Sequence, residues 1–569
     1  MKKLIALLLC MAMVFALAAC GGNSGSGSEG GSEEKAEDFV ATACIASEPE
    51  TIDPGLISSV DGSTYVNHMF ENLMKYVPTD EDADESGNVK MTKVDLGQAE
   101  SYDVSEDGLT YTFKIRSDAV WSDGEPVKAQ DWVYSWQRLV NPETASDYGY
   151  FLDGIVVNAA EIQAGEKKPE ELGVKAVDDS TLEVTLCQDT PYFIEMCAFA
   201  SLMPLREDVV EGNDDWATPE KIVVNGPYIL SEWTHDSVIK MVPNEKYYDA
   251  ANLGPSEIDW YLSADETAIL SAYQSGEWAF IESFPTDMIS SLQDSGDCFI
   301  DPYVGTYFLY LNCDKIKDWR VRAAMVLSMD RDNIVENVTQ GGQTPATGFV
   351  ASGILDSTGA DFAFGSSELG AIYAWLSEQY PDYDLSSYDD KCDLAKKLYQ
   401  EAVDEGKWDP DTTVEYNFNT DESHKAIAEA CGQDWKNVLG MKITLANQEW
   451  NTYTNGLGEH KFGCARLGWI ADYNDPITYL ELMVTGNSYN YGLYSNEKFD
   501  QAIKDAKSMA AGTERDKALY TAEETLFGEG GFPVAPVYYY TNMYCNKTIK
   551  NIGYTSMGYY FFQYAQPAA

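Results

Sequence analysis

Four histidines, eleven cysteines and 93 carboxylates are the side chains most able to do chemistry in this 569-residue chain. His68, His235, His424 and His460 stand too far apart for any pair to share one helical turn, so no HExxH metal helix exists. No GxSxG turn presents a serine nucleophile, and no GxxxxGKS/T loop cradles a phosphate. The cysteines include no CxxC pair, which removes zinc-site and thioredoxin-type readings. Asp80-Glu81-Asp82-Ala83-Asp84 begins like a calcium loop. Its sixth position is Glu85 instead of glycine and its twelfth is Met91 instead of glutamate, so it reads as a solvated acidic loop. Gly25 to Gly30 spells GxGxxG with no strand before it and no helix after it, so it is no dinucleotide site. With 93 acids, chance carboxylate pairs are guaranteed, and none stands out as a general acid and base. No catalytic residue, metal or cofactor is expected.

One thiol has a clear use. Met1-Lys2-Lys3 is a short basic start, Leu4 to Leu17 is an apolar run, and Leu17-Ala18-Ala19-Cys20 follows. The order is that of a secretory signal, and the run is short for a membrane span. Its end resembles a bacterial lipobox, which implies a signal peptide over 1–20 with Cys20 as the lipidated first residue of the mature chain. Gly21 to Asp38 is mostly glycine, serine and glutamate, without aromatic or β-branched residues, and reads as a disordered tether reaching about 20–25 Å as a flexible coil. Nine cysteines remain beyond it: Cys44, Cys187, Cys197, Cys298, Cys313, Cys392, Cys431, Cys464 and Cys545. Their number is odd and their spacing wide, so no dense disulfide framework is expected and at least one thiol is unpaired.

The body of about 530 residues is too long for one core, so several lobes are expected. The net charge of −55 repels phosphate backbones and anionic headgroups, which argues against nucleic acid as a partner. Asp107-Gly108 sits between alternating residues and predicts a hairpin over Ser101–Arg116; a second is predicted over Gly173–Leu186. Trp132, Val133, Trp136, Leu139 and Val140 recur at helical spacing up to Asn141-Pro142. Asp318 is expected to cap a helix to about Ser328 and Asp330 to open the next; Asp390–Ala402 and Glu497–Ala510 also read as helices. Mixed strands and helices without a repeat or clean linker imply α/β lobes that the chain visits more than once.

Several stretches then matter as a set: Ser47-Glu48-Pro49-Glu50-Thr51-Ile52-Asp53-Pro54, Tyr111 to Pro142, Leu172 to Val184, Asn225-Gly226-Pro227-Tyr228, Asp318 to Val335, Asn447-Gln448-Glu449-Trp450, Ala465 to Pro476 and Pro536 to Tyr540. In order and content the chain resembles the solute-binding proteins of bacterial peptide ABC importers, family 5, most closely the oligopeptide-binding type. The resemblance implies an α/β, periplasmic-binding-protein-like, two-jawed clamp of class II with three lobes. Lobe I would hold 39–70, 206–304 and 530–569, lobe II 71–205, and lobe III 305–529. It implies a monomer on the outer face of the cell membrane (periplasmic where an outer membrane exists), anchored through Cys20, with an oligopeptide ligand and ABC permease subunits as partners.

Carried over residue by residue, the resemblance gives Asp472 to the peptide's α-ammonium. Read from the residues alone, Asp472 is a loop aspartate, and Asp475-Pro476 beside it already has the form of a helix cap. Arg466 and His424 match positions that meet the ligand's carboxylate end or line the cleft, and for His424 an ordinary helix-surface position is the alternative. Trp450, Trp469 and Tyr148 match aromatic pocket walls, for which ordinary core packing is the alternative. Val60, Gly468 and Ile470 match places where backbone amides pair with an extended peptide. One departure is Ile334 to Gly342, which has Glu336 and no cation where the family offers a lysine to the ligand's carboxylate. Two other readings stay open: the same clamp for a sugar or metal complex, and an extracellular hydrolase with an unrecognised carboxylate pair.

Overall fold

Asp107-Gly108 closes a tight hairpin between strands Ala99–Val104 and Thr110–Ile115. Gly108 takes φ +73°, where a side chain would be strained, and Asp107 Oδ1 accepts from Ser105 Oγ and the Leu109 amide. Tyr111, Phe113 and Ile115 face inward while Lys114 is exposed, as their alternation requires. The second hairpin forms as Val174–Asp178 and Thr181–Thr185 and completes a four-stranded sheet with the first. Helix Ala129–Val140 buries Trp132 and Trp136, whose indole N–H groups donate to Asn72 Oδ1 and the Leu202 carbonyl at 2.9 Å each. Asp318 caps helix Trp319–Leu327 through the Arg320 amide at 3.0 Å. Asp330 opens only the turn Arg331–Asn333, which continues as a π-helical turn over Ile334–Thr339. The two later helices run Tyr388–Asp404 and Glu497–Lys507, capped by Ser387 and Asn496.

This computed structural model describes residues 39–46, 48–365 and 367–568. The signal peptide, Cys20 and the tether therefore lie outside the described residues. The largest sheet runs through strands Lys442–Gln448, Thr413–Asn419, Cys464–Ile470, Cys298–Leu311, Val534–Asn546, Phe280–Ile281, Val40–Ala46, Glu257–Leu262, Val238–Pro243 and Tyr228–Thr234 in that spatial order. Cys298–Leu311 and Val534–Asn546 are its two long antiparallel members. Their register shifts between Pro302 and Thr306. A proline has no N–H to give a ladder and is tolerated at such irregularities. The lobe boundary expected after residue 304 falls inside this step. The boundary expected at residue 71 is crossed by pairing, because hairpin Met74–Asp82 with Val89–Leu96 shares a sheet with Ile552–Tyr554 and Tyr560–Phe561.

Two stretches of the early sequence gain a structural purpose. Asp53 receives both terminal nitrogens of Arg138 at 2.9 and 2.7 Å, tying the first segment to the Ala129–Val140 helix. Asp80, Glu81 and Asp82 are exposed, but they end strand Met74–Asp82 instead of lying in a loop, and Asp82 pairs with Lys90. Asp84 is not simply solvated: its carboxylate accepts the Tyr544 hydroxyl and the Ser86 amide.

Asp301 and Glu523 are buried, and Asp61, Asp153 and Glu282 are half-buried. Burial is the leading cause that pushes Asp61, Asp153 and Glu523 up to about 7, and Glu282 and Asp301 up to about 8. A carboxyl whose folded value is raised contributes stability that is fully present below its unfolded value near 4 and is lost as pH rises through the folded value. The thermal midpoint should therefore fall as pH is raised from about 5 to about 8.5. Asp301→Asn should remove part of that slope. A midpoint that climbs across this window, measured by calorimetry, would contradict the raised titration of these groups.

Candidate functional site

The strand Cys464–Ile470 ends in a loop that carries Asp472 into the interior, where it is 4% exposed. Its Oδ1 accepts the Tyr148 hydroxyl at 2.9 Å and its Oδ2 the Thr478 hydroxyl at 3.2 Å. Thr478 Oγ1 also accepts the Asp472 amide at 3.0 Å, which fixes the loop. Burial drives the Asp472 carboxyl well above the usual carboxylate range; the two hydroxyls act against this and Glu481 adds to it. No cation pairs with Asp472 among the described residues, whereas nearby Glu481 has both Lys507 Nζ and the Tyr473 hydroxyl. A carboxylate has about four lone-pair positions, so two hydroxyls leave room for further donors.

The aromatic residues expected at the pocket walls divide into two places. Tyr148 and Trp469 lie beside Asp472, with ring centroids 6.3 Å apart, and Tyr489 packs on Trp469 at 4.8 Å. The buried hydroxyls of Tyr150 and Tyr489 have no partner among the described residues. Trp450 is half-buried at the start of helix Trp450–Gly458, 6.3 Å from Tyr453, and belongs to the Arg466 end instead. Tyr453 links the two by donating to the Arg466 carbonyl.

Arg466 and His424 are brought together, the guanidinium against the His424 Nε2. Arg466 also donates to Asn419 Oδ1 at 2.7 Å and lies 5.6 Å over the Tyr307 ring. Burial first, and then the Arg466 charge, push the His424 imidazole down to about 3, so it is neutral and can accept from the guanidinium. Among the described residues Arg466 is bonded to no carboxylate; Asp421 acts on it only at a distance. The strand thus carries a buried cation at Arg466, and the loop that follows it a buried acid at Asp472, six residues further along the chain.

The backbone between these poles is an open edge. The Ala471 amide bonds the Val304 carbonyl, while the Arg466 carbonyl faces Tyr453, so residues 466, 468 and 470 point away from strand Cys298–Leu311. On that outer edge strand pairing stops at Ala465. Gly468 and Ile470 therefore present N–H and C=O groups with no strand partner among the described residues. Gly468 must lack a side chain here, because a Cβ would lie 2.4 Å from the Tyr540 hydroxyl. Val60 is the first residue of helix Val60–Met69, where an amide has no intrahelical acceptor. It does not touch the Asp472 group, but Glu50, which binds Ser58 and Ser59 just ahead of it, adds its charge to those acting on Asp147 and Tyr489.

The segments around Asp472 are fastened to each other. Tyr192 stacks on Tyr473 at 4.5 Å, the Asn474 amide reaches Glu195 at 3.3 Å, and Ser488 Oγ donates to the Asp147 carbonyl at 3.0 Å. Thr478, Tyr489, Asn419 and Tyr307 were not singled out by sequence; only the aromatic density around Tyr489 could have signalled one of them. Glu336 is exposed on its π-helical turn.

Residues 93–491 match the family described as bacterial extracellular solute-binding proteins, family 5 Middle. The oligopeptide-binding protein OppA of Bacillus subtilis is 31% identical over 582 residues, covering 99% of both chains. The murein tripeptide binding protein MppA of Escherichia coli superposes with a TM-score of 0.82 at 29% identity, over 94% of this chain and 99% of that one. Against the unliganded open form of MppA the TM-score is 0.62, at 29% identity over 94% of this chain and 98% of that one. An α/β clamp with these matches belongs to the family 5 bacterial extracellular solute-binding proteins.

Proposed function

We propose that this chain captures oligopeptides outside the cell membrane, held there by a lipid on Cys20, and hands them unaltered to an ABC permease. The buried, unpaired Asp472 carboxylate carries the reading. A carboxylate taken from water without a cation is costly, and a peptide ammonium returns the missing charge through charge-assisted bonds. Arg466 is the matching cation for a ligand carboxylate, since its fork engages both oxygens. The open edge at Gly468 and Ile470, with the Val60 amide, pairs with the peptide main chain, which is common to all sequences. Tyr148, Trp469 and, nearer Arg466, Trp450 line side-chain space. The relatives' names, oligopeptide-binding and murein tripeptide binding, support peptides as the ligand class.

In this reading three lobes form two jaws that turn about the shift between Pro302 and Thr306. The better match to MppA than to its open form supports a closed arrangement here. Native mass spectrometry of the purified chain is the test. A ladder of co-purified peptide masses is expected. A single non-peptide mass, or turnover of the bound molecule, would replace this reading with another solute or with a hydrolase.

A further inference from the structure

Four residues form a row across four neighbouring strands in the middle of the largest sheet. Cys298 stands opposite Cys545, Cys545 opposite Ile281, and Ile281 opposite Cys44. Directly opposite residues share a face of the sheet. That face is covered by Ile269, Leu270 and Tyr273 from helix Glu266–Ser275 and by Ile289 and Leu292 from helix Ile289–Ser295. Among the described residues no disulfide is formed.

The ladder around the first pair decides what it can do. The Asn546 amide donates to the Asp297 carbonyl at 3.2 Å, so residues 297 and 546 are a hydrogen-bonded pair. Hydrogen-bonded and non-hydrogen-bonded pairs alternate, so Cys298 and Cys545 occupy the narrow kind, with Cα atoms about 4.5 Å apart. That falls within the ~4.4–6.8 Å range of disulfides. Cys44 is two strands beyond Cys545, about 9–10 Å away, and cannot be bridged to it without backbone movement. Each of the two thiols has the other as the strongest influence upon it. Cys298 begins its strand and Cys545 is next to last in its own, so fraying of one strand end exposes both.

We propose that Cys298 and Cys545 are a disulfide-forming pair, closed by exchange with a small external disulfide. The Cys298 thiolate attacks one sulfur of that disulfide and expels the first thiolate. The Cys545 thiolate then attacks the Cys298 sulfur of the mixed disulfide and expels the second. The protein loses two electrons and two protons, and the external disulfide becomes two thiols. The bond staples the two long strands at the end away from their register shift, closing a chain loop long enough for the entropic gain to be large.

The test uses the full chain, purified reduced and then incubated natively with oxidised or reduced glutathione. Acid quenching, unfolding, maleimide labelling and peptide mapping follow. Oxidised protein is expected to carry two fewer labels and to give one linked peptide pair containing Cys298 and Cys545. Its thermal midpoint should exceed that of the reduced protein by several degrees, and Cys298→Ser should abolish the difference. Equal labelling in both samples, a stable glutathione adduct, or a bridge between any other cysteines overturns the proposal. None of these results bears on peptide capture.

Discussion

Asp472→Asn should weaken binding of a short peptide with a free N-terminus by about 3–5 kcal/mol, roughly two to three and a half orders of magnitude, while an N-acetylated copy loses far less. The substitution removes the charge and leaves one acceptor oxygen where Tyr148 and Thr478 now use two, so the new amide nitrogen must donate to one of these hydroxyls. The ligand-free protein should gain stability at neutral pH. Its carboxyl is raised by burial, so the contribution present in acid is lost as pH rises, and an amide escapes that loss. Falling affinity with rising stability is a signature that general damage to the fold does not produce. Calorimetric titration of both peptides, with a melting curve of each protein, checks it. Equal losses for the free and acetylated peptides would remove Asp472 from the ammonium site.

Arg515→Met should be the most damaging single change to stability near the site, at about 3–5 kcal/mol. Both Asp475 oxygens are held by the guanidinium at 2.6 and 2.8 Å, and Arg515 Nε also reaches the Ala506 carbonyl at 3.1 Å. Both side chains are nearly buried, so removing the cation strands a carboxylate close to Asp472 and Glu481. The neutral double variant, Asp475→Asn with Arg515→Met, should recover a large part of the loss, because no charge is left unpaired. Urea denaturation of the three variants measures the cycle. A double variant as unstable as the sum of the single changes would show the pair to be energetically independent.

The parts of this fold legible in the sequence are those whose causes are local. Asp107-Gly108 needs only a glycine at φ +73° and alternating neighbours, and Asp318 needs only the amide two residues on. Trp132 and Trp136 declare a buried helix face by spacing. Asp475 shows the limit of such reasoning. Its Oδ1 does accept the Ile477 amide at 3.0 Å, as a cap would, yet its ion pair with Arg515, forty residues away, leaves no local trace.

The site was legible only through the resemblance. By residue type and spacing Asp472 is one acid among 93, and its burial depends on Tyr148, 324 positions earlier, and on segments that close over it. Arg466 and His424 meet because helix Glu422–Leu439 begins next to strand Cys464–Ile470, a placement set by sheet order. The two long strands could be guessed as apolar and aromatic, but the shift at Pro302–Thr306 is a property of their pairing, not of either strand.

A crystal structure of the chain grown with a short unblocked peptide tests the central claim most directly. The peptide nitrogen is expected about 2.7–2.9 Å from the Asp472 carboxylate, with its main chain along the Gly468–Ile470 edge. A peptide seated elsewhere, with Asp472 still bonded only to Tyr148 and Thr478, would contradict it.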